Sequence, residues 1–229
     1  MIMIDPSKVC YIFDVDGTLT EPRRMVENSF MKEFVSWAQS RQMFIATGSD
    51  FKKIKQQLPQ GMLSCFSQIH CCMGNEVRES TGDVLYKSNF IIPENLNEDL
   101  ENLLLKSEYN LKTGNHIEFR TGMINFSTVG RNANKLERSQ YNKWDKISKE
   151  REQIANFINK NYPTLNASVG GSISIDIIEE GRDKGQIINY LENHGATHVV
   201  FVGDRCFPGG NDWGIIRELK RSNLAFEWY

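Results

Sequence analysis

The chain has 229 residues, of which 40% are hydrophobic and 24% charged, and its formal net charge is −2. This composition predicts a globular protein and excludes a general electrostatic attraction for nucleic acid or for anionic lipid. Five cysteines without CxxC spacing predict reduced thiols. No apolar run approaches the roughly 20 residues of a membrane span, and Asp5-Pro6 follows Met1-Ile2-Met3-Ile4 too early for a secretory leader. We therefore expect a cytoplasmic protein with neither a membrane nor a nucleic acid as its partner.

The first predicted strand is the apolar run Val9–Phe13, and two carboxylates, Asp14 and Asp16, follow it directly. In a parallel α/β sheet, reactive groups lie beyond the carboxyl ends of the strands. Two carboxylates this close repel each other unless a cation lies between them, which makes Mg²⁺ the first partner to consider. The alternative is an Asx-type turn that simply ends the strand.

A predicted crossover helix, Val26–Gln39, leads to a second apolar strand, Met43–Ala46, which ends at Thr47-Gly48-Ser49. Helical spacing resumes at Phe51, so Ser49 stands where a helix N-cap belongs. Capping alone would explain Ser49. The functional alternative is a phosphate site, because a helix N-terminus offers free amide groups beside this hydroxyl.

The alternation of strand and helix stops after a third strand, Ile69–Met73, and a predicted hairpin at Thr81-Gly82-Asp83. Two helices, one beginning at Pro93 and a polar one containing Ile154, are interspersed with four short strands. These strands are centred on residues 117–119, 124–126, 167–169 and 172–178. We predict an inserted α+β cap over residues 82–181 with an antiparallel sheet.

The strand–helix pattern returns after Gly181, with a helix opened by Asp183-Lys184 and a strand, Val199–Val202, that ends at Gly203-Asp204. We therefore predict an α/β fold whose core, residues 1–81 and 182–229, contains a mostly parallel Rossmann-like sheet.

Several polar side chains sit at the ends of these separate elements and are expected to converge on one sheet edge. They are Asp14, Asp16, Thr47, Ser49, Lys184, Asp204 and the pair Asn211-Asp212. Each has an ordinary interpretation as a helix start, a turn or an N-cap. Together they supply a nucleophilic carboxylate, a proton carrier, phosphate ligands and metal ligands, which transfer through an aspartyl phosphate requires.

With these residues in place, the sequence resembles the haloacid dehalogenase superfamily through FDVDGTLT, ATGSD, Lys184 and VGD…GGND. It resembles the eukaryotic-type phosphomannomutases more closely, over residues 9 to 213. The most specific stretches are FDVDGTLTEPRR, GNHIEFRTGMINFSTVGR, GGSISIDIIEEGRDK and GDRCFPGGNDW. The resemblance implies a haloacid dehalogenase-like core that carries a substrate-binding cap.

The resemblance also implies roles for individual residues. Asp14 matches the nucleophile and a Mg²⁺ ligand, Asp16 the general acid/base whose main-chain carbonyl also binds the metal, and Asp204 the remaining metal ligand. Lys184 matches the lysine that offsets charge at the reaction centre, and Thr47, Gly48 and Ser49 match the phosphate loop, where the family usually has Gly-Gly-Ser. The substrate-binding positions of the family fall on Arg23, Arg120, Arg131, Arg138, Ser174 and Asp176.

The activity implied is interconversion of mannose 6-phosphate and mannose 1-phosphate, with Mg²⁺ and a hexose 1,6-bisphosphate as activator, which supplies mannose 1-phosphate for GDP-mannose synthesis. Small sugar phosphates are the implied ligands, and the family suggests a homodimer through the cap. The alternatives are a sugar-phosphate phosphatase, a phosphoglucomutase and a catalytically silent sugar-phosphate-binding protein. Intact Asp14, Asp16 and Lys184 argue against the last of these.

The resemblance fades after Trp213. The family's C-terminal region builds a second metal site there, whereas this chain reads Ile215-Ile216-Arg217-Glu218-Leu219-Lys220-Arg221. We expect this second site to be missing, with Arg221 supplying the positive charge, and the last helix to pack differently or to fray.

Overall fold

The computed structural model describes residues 4–229. The leader prediction rests partly on residues 1–3, which lie outside that range. Among the described residues, no helix is long and apolar enough to cross a membrane. The chain divides into two units, a discontinuous unit that runs up to Ser88 and resumes over Arg182–Tyr229, and an inserted unit, Asn89–Gly181.

The secondary structure is as follows. The strands are β1 Cys10–Phe13, β2 Gln42–Ala46, β3 Gln68–Cys71, β4 Glu76–Arg78, β5 Val84–Lys87, β6 Ile117–Arg120, β7 Met123–Phe126, β8 Leu165–Gly170, β9 Ser174–Glu179, β10 His198–Val202 and β11 Ala225–Trp228. The α-helices are α1 Asn28–Ala38, α2 Phe51–Gln57, α3 Gln60–Leu63, α4 Leu96–Lys106, α5 Lys135–Ser148, α6 Glu150–Asn161, α7 Gln186–Asn193 and α8 Trp213–Leu219.

The discontinuous unit is built on a seven-stranded sheet in the order β11-β10-β1-β2-β3-β4-β5. The five strands from β11 to β3 are parallel, and β4 and β5 add an antiparallel edge. Strand β1 lies between β10 and β2 and is apolar because both faces of a parallel sheet are covered by helices. On one face, Ile12 and Phe201 pack with Ile187 and Ile188 of α7 and Ile215 of α8.

The inserted unit contains a four-stranded antiparallel sheet in the order β6-β7-β9-β8. Alternate residues of its strands, such as Ile124, Phe126, Ile175 and Ile177, form a core that includes residues of α4 and α6. Because successive side chains of a strand point to opposite faces, the other face of this sheet carries the intervening polar residues. The predicted fold class, a mostly parallel α/β core with an α+β insert, is confirmed.

Two details of the insert differ from the sequence prediction. Residues 84–87 form β5, which pairs with β4, so the discontinuous unit extends to Ser88 and not to residue 81. The insert also has three helices, not two, because a left-handed residue, Lys149, separates α5 from α6. Helix α5 escaped prediction because it buries few side chains, although its capping box, Asn134 with Glu137, is visible in the sequence.

The C-terminal region is ordered into the core, and the expectation that the last helix frays is wrong. Helix α8 buries Ile215, Ile216 and Leu219, and β11 extends the parallel sheet beyond β10. Arg217 forms ion pairs with Asp183 at 2.9 Å and with Glu218 at 2.8 Å. Arg221, which the sequence suggested as the compensating cation, is 68% exposed and reaches only Glu218 in its ion pair.

Candidate active site

Parallel pairing brings the predicted reactive residues to one edge of the seven-stranded sheet. Asp14 follows β1, Thr47 follows β2 and Asp204 follows β10, and these three strands are neighbours in the order β10-β1-β2. The main-chain N–H of Asp14 donates to the carbonyl of Val202, which fixes the end of β1 against the end of β10. The carboxyl edge of the sheet is therefore the place where these side chains meet.

A buried cluster of Asp14, Lys184 and Asp212 occupies this edge. The Lys184 ammonium donates to Asp14 Oδ1 at 2.5 Å and to Asp212 Oδ1 at 2.7 Å. The side chains of all three residues are at most 3% exposed. A buried ammonium between two carboxylates satisfies its charge only through these contacts, so the three side chains hold one another in place.

The pKa values in this cluster follow from burial and mutual charge. Burial raises the pKa of Asp14 to about 7, Lys184 opposes the rise, and the negative charge of Asp212 adds to it. Burial alone would lower the pKa of Lys184, but the two adjacent carboxylates outweigh it and hold that pKa above its ordinary value. Lys184 therefore stays protonated, and further positive charge beside Asp14 would favour the ionised carboxylate.

Three carboxylates at this edge lie close enough together to hold a cation. One oxygen each from Asp14, Asp204 and Asp212 lies within 4.8 Å of the others. Asp204 is close to the turn after β1, since a Cβ on Gly17 would lie 2.5 Å from Asp204 Oδ2. Burial and the charge of Asp212 raise the pKa of Asp204. When all three carboxyl groups are ionised, one ammonium leaves two negative charges uncompensated, and hard carboxylate oxygens suit Mg²⁺.

Asp212 is the member of this site that sequence reasoning undervalued. The sequence places it among the converging residues with an N-cap as the alternative; Asp212 does precede α8, but its side chain makes no capping hydrogen bond. Instead, its Oδ2 accepts from the main-chain N–H of Arg205 at 3.1 Å while its Oδ1 accepts from Lys184. The signal available in the sequence was its position eight residues after Asp204 in a Gly-rich loop.

Asp16 is held by a separate set of donors. Its Oδ2 accepts from the Ser49 hydroxyl at 3.2 Å, and its Oδ1 accepts from the Gln57 amide at 2.8 Å and from the main-chain N–H of Arg23 at 3.1 Å. Gln57 is buried and also donates to the hydroxyl of Thr20. No sequence pattern indicates Gln57, because a glutamine at the end of a helix has no distinctive spacing.

The N-cap of α2 is Asp50, so the capping interpretation of Ser49 is wrong. The Asp50 carboxylate accepts from the main-chain N–H of Lys53 at 2.9 Å. Ser49 is thereby left to donate its hydroxyl to Asp16, and its main-chain N–H donates to the Thr47 hydroxyl. The hydroxyl of Ser49 thus contacts a carboxylate of the candidate site.

The loop formed by Thr47, Gly48 and Ser49 is braced by the segment after β3. The main-chain N–H of Met73 donates to the carbonyl of Thr47, and that of Cys72 donates to the carbonyl of Ser49. Cys72 and Met73 adopt positive φ angles of 50° and 62°. Such angles are uncommon for residues other than glycine and occur where the surrounding structure imposes them. A Cβ on Gly48 would lie 3.1 Å from the Met73 methyl, so a larger residue would press on the end of that side chain.

In the inserted unit, Glu118 joins two of the predicted arginines. Its Oε1 accepts from Arg120 Nε at 2.8 Å, and its Oε2 lies 3.3 Å from Arg131 Nε. Arg131 Nη1 also donates to the hydroxyl of Ser174 at 2.6 Å. Arg120, Arg131 and Ser174 are therefore brought together around a carboxylate that sequence reasoning had not singled out.

The remaining predicted cap residues have other neighbours. Arg138 donates through Nε to the carbonyl of Ala133 and through Nη2 to the carbonyl of Arg131, so it shapes the loop that carries Arg131. Asp176 is buried, and its Oδ1 accepts from the side-chain amide of Asn125.

Solved structures with the same fold include several phosphatases. The C-terminal domain of trehalose-6-phosphate phosphatase from C. albicans aligns with a TM-score of 0.65 and 14% identity, over 93% of this chain and 74% of that one. A haloacid dehalogenase-like hydrolase from Bacteroides thetaiotaomicron aligns with a TM-score of 0.57 and 12% identity, over 95% of this chain and 87% of that one. At these identities the likeness establishes the fold alone.

Sequence comparison identifies the family. A sequence model described as eukaryotic phosphomannomutase matches residues 31–225. A phosphomannomutase from Spinacia oleracea is 34% identical, over 89% of this chain and 84% of the relative. Phosphomannomutase 1 from Dictyostelium discoideum is 31% identical, over 94% of this chain and 89% of the relative. The chain therefore belongs to the eukaryotic phosphomannomutase family of enzymes.

Proposed function

We propose that the phosphomannomutase reaction of this chain interconverts mannose 6-phosphate and mannose 1-phosphate through a phosphoryl group carried on Asp14. The observation that carries the proposal is the cluster in which Lys184 bonds to Asp14 and Asp212. A carboxylate that attacks a phosphate ester must approach another anion, and a fixed buried ammonium lowers that electrostatic barrier. Lys184 also orients the Asp14 carboxylate by holding one of its oxygens.

In the first step, a carboxylate oxygen of Asp14 attacks one phosphorus of a hexose 1,6-bisphosphate. The bond between phosphorus and the sugar oxygen breaks, and Asp16 donates a proton to that oxygen. In the second step, a hydroxyl of a mannose monophosphate attacks the phosphorus of the aspartyl phosphate and gives its proton to Asp16. The Asp14 carboxylate is regenerated, and the second step releases a bisphosphate.

Asp16 suits the proton-carrying role because its position is fixed by three donors, from Ser49, Gln57 and Arg23. A general acid/base must be held within hydrogen-bond reach of the oxygen that it protonates. The separation of Asp16 from the Lys184 contacts supports different roles for the two carboxylates. Asp14 is paired with the ammonium, and Asp16 is surrounded by hydroxyl and amide donors.

We propose Mg²⁺ as the cofactor, held by Asp14 and Asp204, by the main-chain carbonyl of Asp16 as the family resemblance implies, and with Asp212 as a further carboxylate beside it. When bound, Mg²⁺ supplies positive charge that neutralises the transferring phosphoryl group. The two uncompensated negative charges of the carboxylate set support a divalent cation over a monovalent one.

We propose that the inserted unit binds the sugar and the phosphate that is not being transferred. A plain phosphatase must bind one phosphate, whereas a mutase that works through a bisphosphate must hold a second. Arg131 and Arg120 offer planar guanidinium groups suited to that phosphate, and Ser174 and Asp176 lie two residues apart on one face of β9. Arg138 would act by shaping the loop of Arg131. Arg23, in the discontinuous unit, is proposed as a substrate-binding residue from the family resemblance alone.

The free thiols of all five cysteines support the further proposal of a reducing, cytoplasmic location. Small sugar phosphates are the proposed ligands. A homodimer through the inserted unit is proposed from the family resemblance.

The test is a coupled assay with mannose 1-phosphate, with and without a hexose 1,6-bisphosphate, run in parallel with an assay for released inorganic phosphate. We expect mannose 6-phosphate to form only when Mg²⁺ is present, faster with the bisphosphate, and with little phosphate release. Asp14→Asn should abolish turnover while leaving the fold intact, because the amide cannot act as the nucleophile.

The same assay distinguishes the alternatives. Steady phosphate release without a bisphosphate requirement would identify a phosphatase, and higher turnover of glucose 1-phosphate than of mannose 1-phosphate would identify a phosphoglucomutase. Substantial mutase turnover by Asp14→Asn would show that the phosphoryl group is not carried on Asp14.

A further inference from the structure

A row of polar side chains crosses the antiparallel sheet of the inserted unit. Glu118 on β6 lies opposite Asn125 on β7, Asn125 lies opposite Asp176 on β9, and Asp176 lies opposite Ser168 on β8. Residues directly opposite each other on neighbouring strands share a face of the sheet. This row is therefore on the face opposite the apolar core that includes α4 and α6, and it is the face that carries Ser174.

Asn125 stands in the middle of this row with an unpaired oxygen. Its side-chain nitrogen Nδ2 donates to Asp176 Oδ1 at 2.5 Å, and the residue is 3% exposed. The side-chain oxygen Oδ1 is buried and has no hydrogen-bond partner among the residues that the structure describes. An ionised carboxylate only accepts hydrogen bonds, so the amide nitrogen must face Asp176 and the oxygen must face away from it.

A buried acceptor without a donor is rare in folded proteins and requires an explanation. Asp176 cannot supply the donor, and the backbone of β7 is already paired on both sides, with β6 and with β9. Asn125 lies opposite Asp176 on β9, two residues from Ser174, whose hydroxyl accepts from Arg131. These neighbours place the unpaired acceptor among the residues proposed to bind the sugar phosphate.

We infer that Asn125 is a further substrate-binding residue and that its Oδ1 accepts a hydrogen bond from a ring hydroxyl of the sugar phosphate. This inference rests on the proposed function, since it requires that the inserted unit binds the sugar. Phosphate oxygens are acceptors near neutral pH, so an unpaired carbonyl-type oxygen selects a hydroxyl and not the phosphate. Asp176 holds the Asn125 amide nitrogen and thereby orients the amide oxygen that accepts from the sugar hydroxyl.

The inference has a consequence for specificity. A site built to hydrogen-bond a substrate hydroxyl discriminates strongly against an analogue that lacks it, because the buried polar group is then left without a partner. We therefore expect Asn125 to control the response to one particular ring hydroxyl and to be indifferent to the others.

The experiment measures the binding of mannose 1-phosphate and its 2-, 3- and 4-deoxyfluoro analogues by calorimetry, for the wild-type protein and Asn125→Ala. For the wild type, one analogue should bind about 10- to 100-fold more weakly than the parent sugar. Asn125→Ala should lower the affinity for the parent sugar by a similar factor. The affinity of Asn125→Ala for that one analogue should equal the affinity of the wild type for it. Equal weakening of every analogue by Asn125→Ala would overturn the inference.

Asn159→Ala is the matched control. Asn159 belongs to the same unit, but both polar atoms of its side chain are bonded to the main chain of Ala167. It should lower the unfolding temperature without changing the order of affinities in the analogue panel. A changed order for Asn159→Ala would show that general loosening of the unit produces the effect, and this would also overturn the inference.

A second measurement does not depend on a variant that folds. A crystal structure of the wild-type protein with mannose 1-phosphate should place a ring oxygen within about 3.2 Å of Asn125 Oδ1. A water molecule at that oxygen, with the sugar bound elsewhere, would overturn the inference while leaving the proposed function standing. Failure of the wild type to bind or convert mannose phosphates would overturn both.

Discussion

The two units hold their charges in different ways. In the discontinuous unit, Asp14, Lys184 and Asp212 form one cluster whose side chains are 0 to 3% exposed. In the inserted unit, Glu118 pairs with Arg120 and Arg131, and these side chains are 5 to 19% exposed. The first cluster is centred on a single lysine, whereas the side chains of the second are slightly more exposed to solvent.

This difference matches what each unit is proposed to do. Fully buried charges are fixed, because separating them would leave an uncompensated ion in a medium of low dielectric constant. Partly exposed ion pairs are weaker, since water screens them, and one partner is more easily exchanged. A phosphate that approaches Arg131 therefore competes with the Glu118 carboxylate for the same guanidinium group. We expect substitutions of the buried charges in the discontinuous unit to destabilise the protein. We expect the ion pairs of the inserted unit to exchange partners when a phosphate binds.

The largest effect is expected from Lys184→Met. The substitution leaves Asp14 and Asp212 buried side by side without their shared cation, so the free energy of unfolding should fall by about 3–5 kcal/mol. Loss of the fixed charge should lower kcat about 100- to 1,000-fold. Urea unfolding and the coupled assay measure the two effects. Lys32→Met, at an exposed position of α1, is the control and should change neither. A Lys184→Met protein as stable as the wild type would contradict the buried ion cluster.

An intermediate effect is expected from Arg131→Ala. The variant removes a guanidinium group that is charged and partly exposed, so KM for mannose 1-phosphate should rise about 10- to 100-fold, as for a lost hydrogen bond to a charged group. The unfolding temperature should change much less than in Lys184→Met. Arg24→Ala removes an arginine whose ion pair with Glu21 is largely exposed and serves as the control. An unchanged KM would exclude Arg131 from the substrate site.

The smallest effect is expected from Gln57→Ala. This variant tests whether a carboxylate of the discontinuous unit outside the ion cluster, Asp16, is also held in a fixed position. Asp16 would keep its contacts with Ser49 and Arg23 but lose the amide donor, so kcat should fall about tenfold. KM should be nearly unchanged because Gln57 is proposed to act only through Asp16. Gln60→Ala, at an exposed glutamine three residues away, is the control. Wild-type turnover by Gln57→Ala would show that the amide does not orient Asp16.

Much of the framework was predictable because local patterns encode it. Apolar runs that end in acidic or hydroxyl residues predicted β1, β2 and β10, each followed by a residue of the candidate site. The break in the strand–helix pattern indicated the inserted unit. The prediction failed at α5, where few side chains are buried, and at the end of the chain, where the quoted sequence motifs stop at Trp213.

The candidate site was predictable as a set of residues but less so as a set of contacts. Asp14, Asp16, Lys184 and Asp204 stood out because acidic and basic residues at element ends are informative in any α/β sequence. Gln57, Glu118 and Asn125 did not, since a single polar residue in a helix or strand has many ordinary explanations. Asp212 was predicted either to belong to the site or to cap α8. The sequence does not reveal which, because it does not show whether a side chain turns back to its own helix.

The sequence by itself determined which chemistry the chain carries: a carboxylate pair after the first strand, a lysine at the start of a late helix and arginines in an insert. Only the tertiary structure decided which partner each group takes. Lys184 reaches Asp14 across 170 residues of chain, and Asn125 reaches Asp176 across 51. Local periodicity fixes which face of an element a side chain occupies, but strand register and helix packing fix what that face meets.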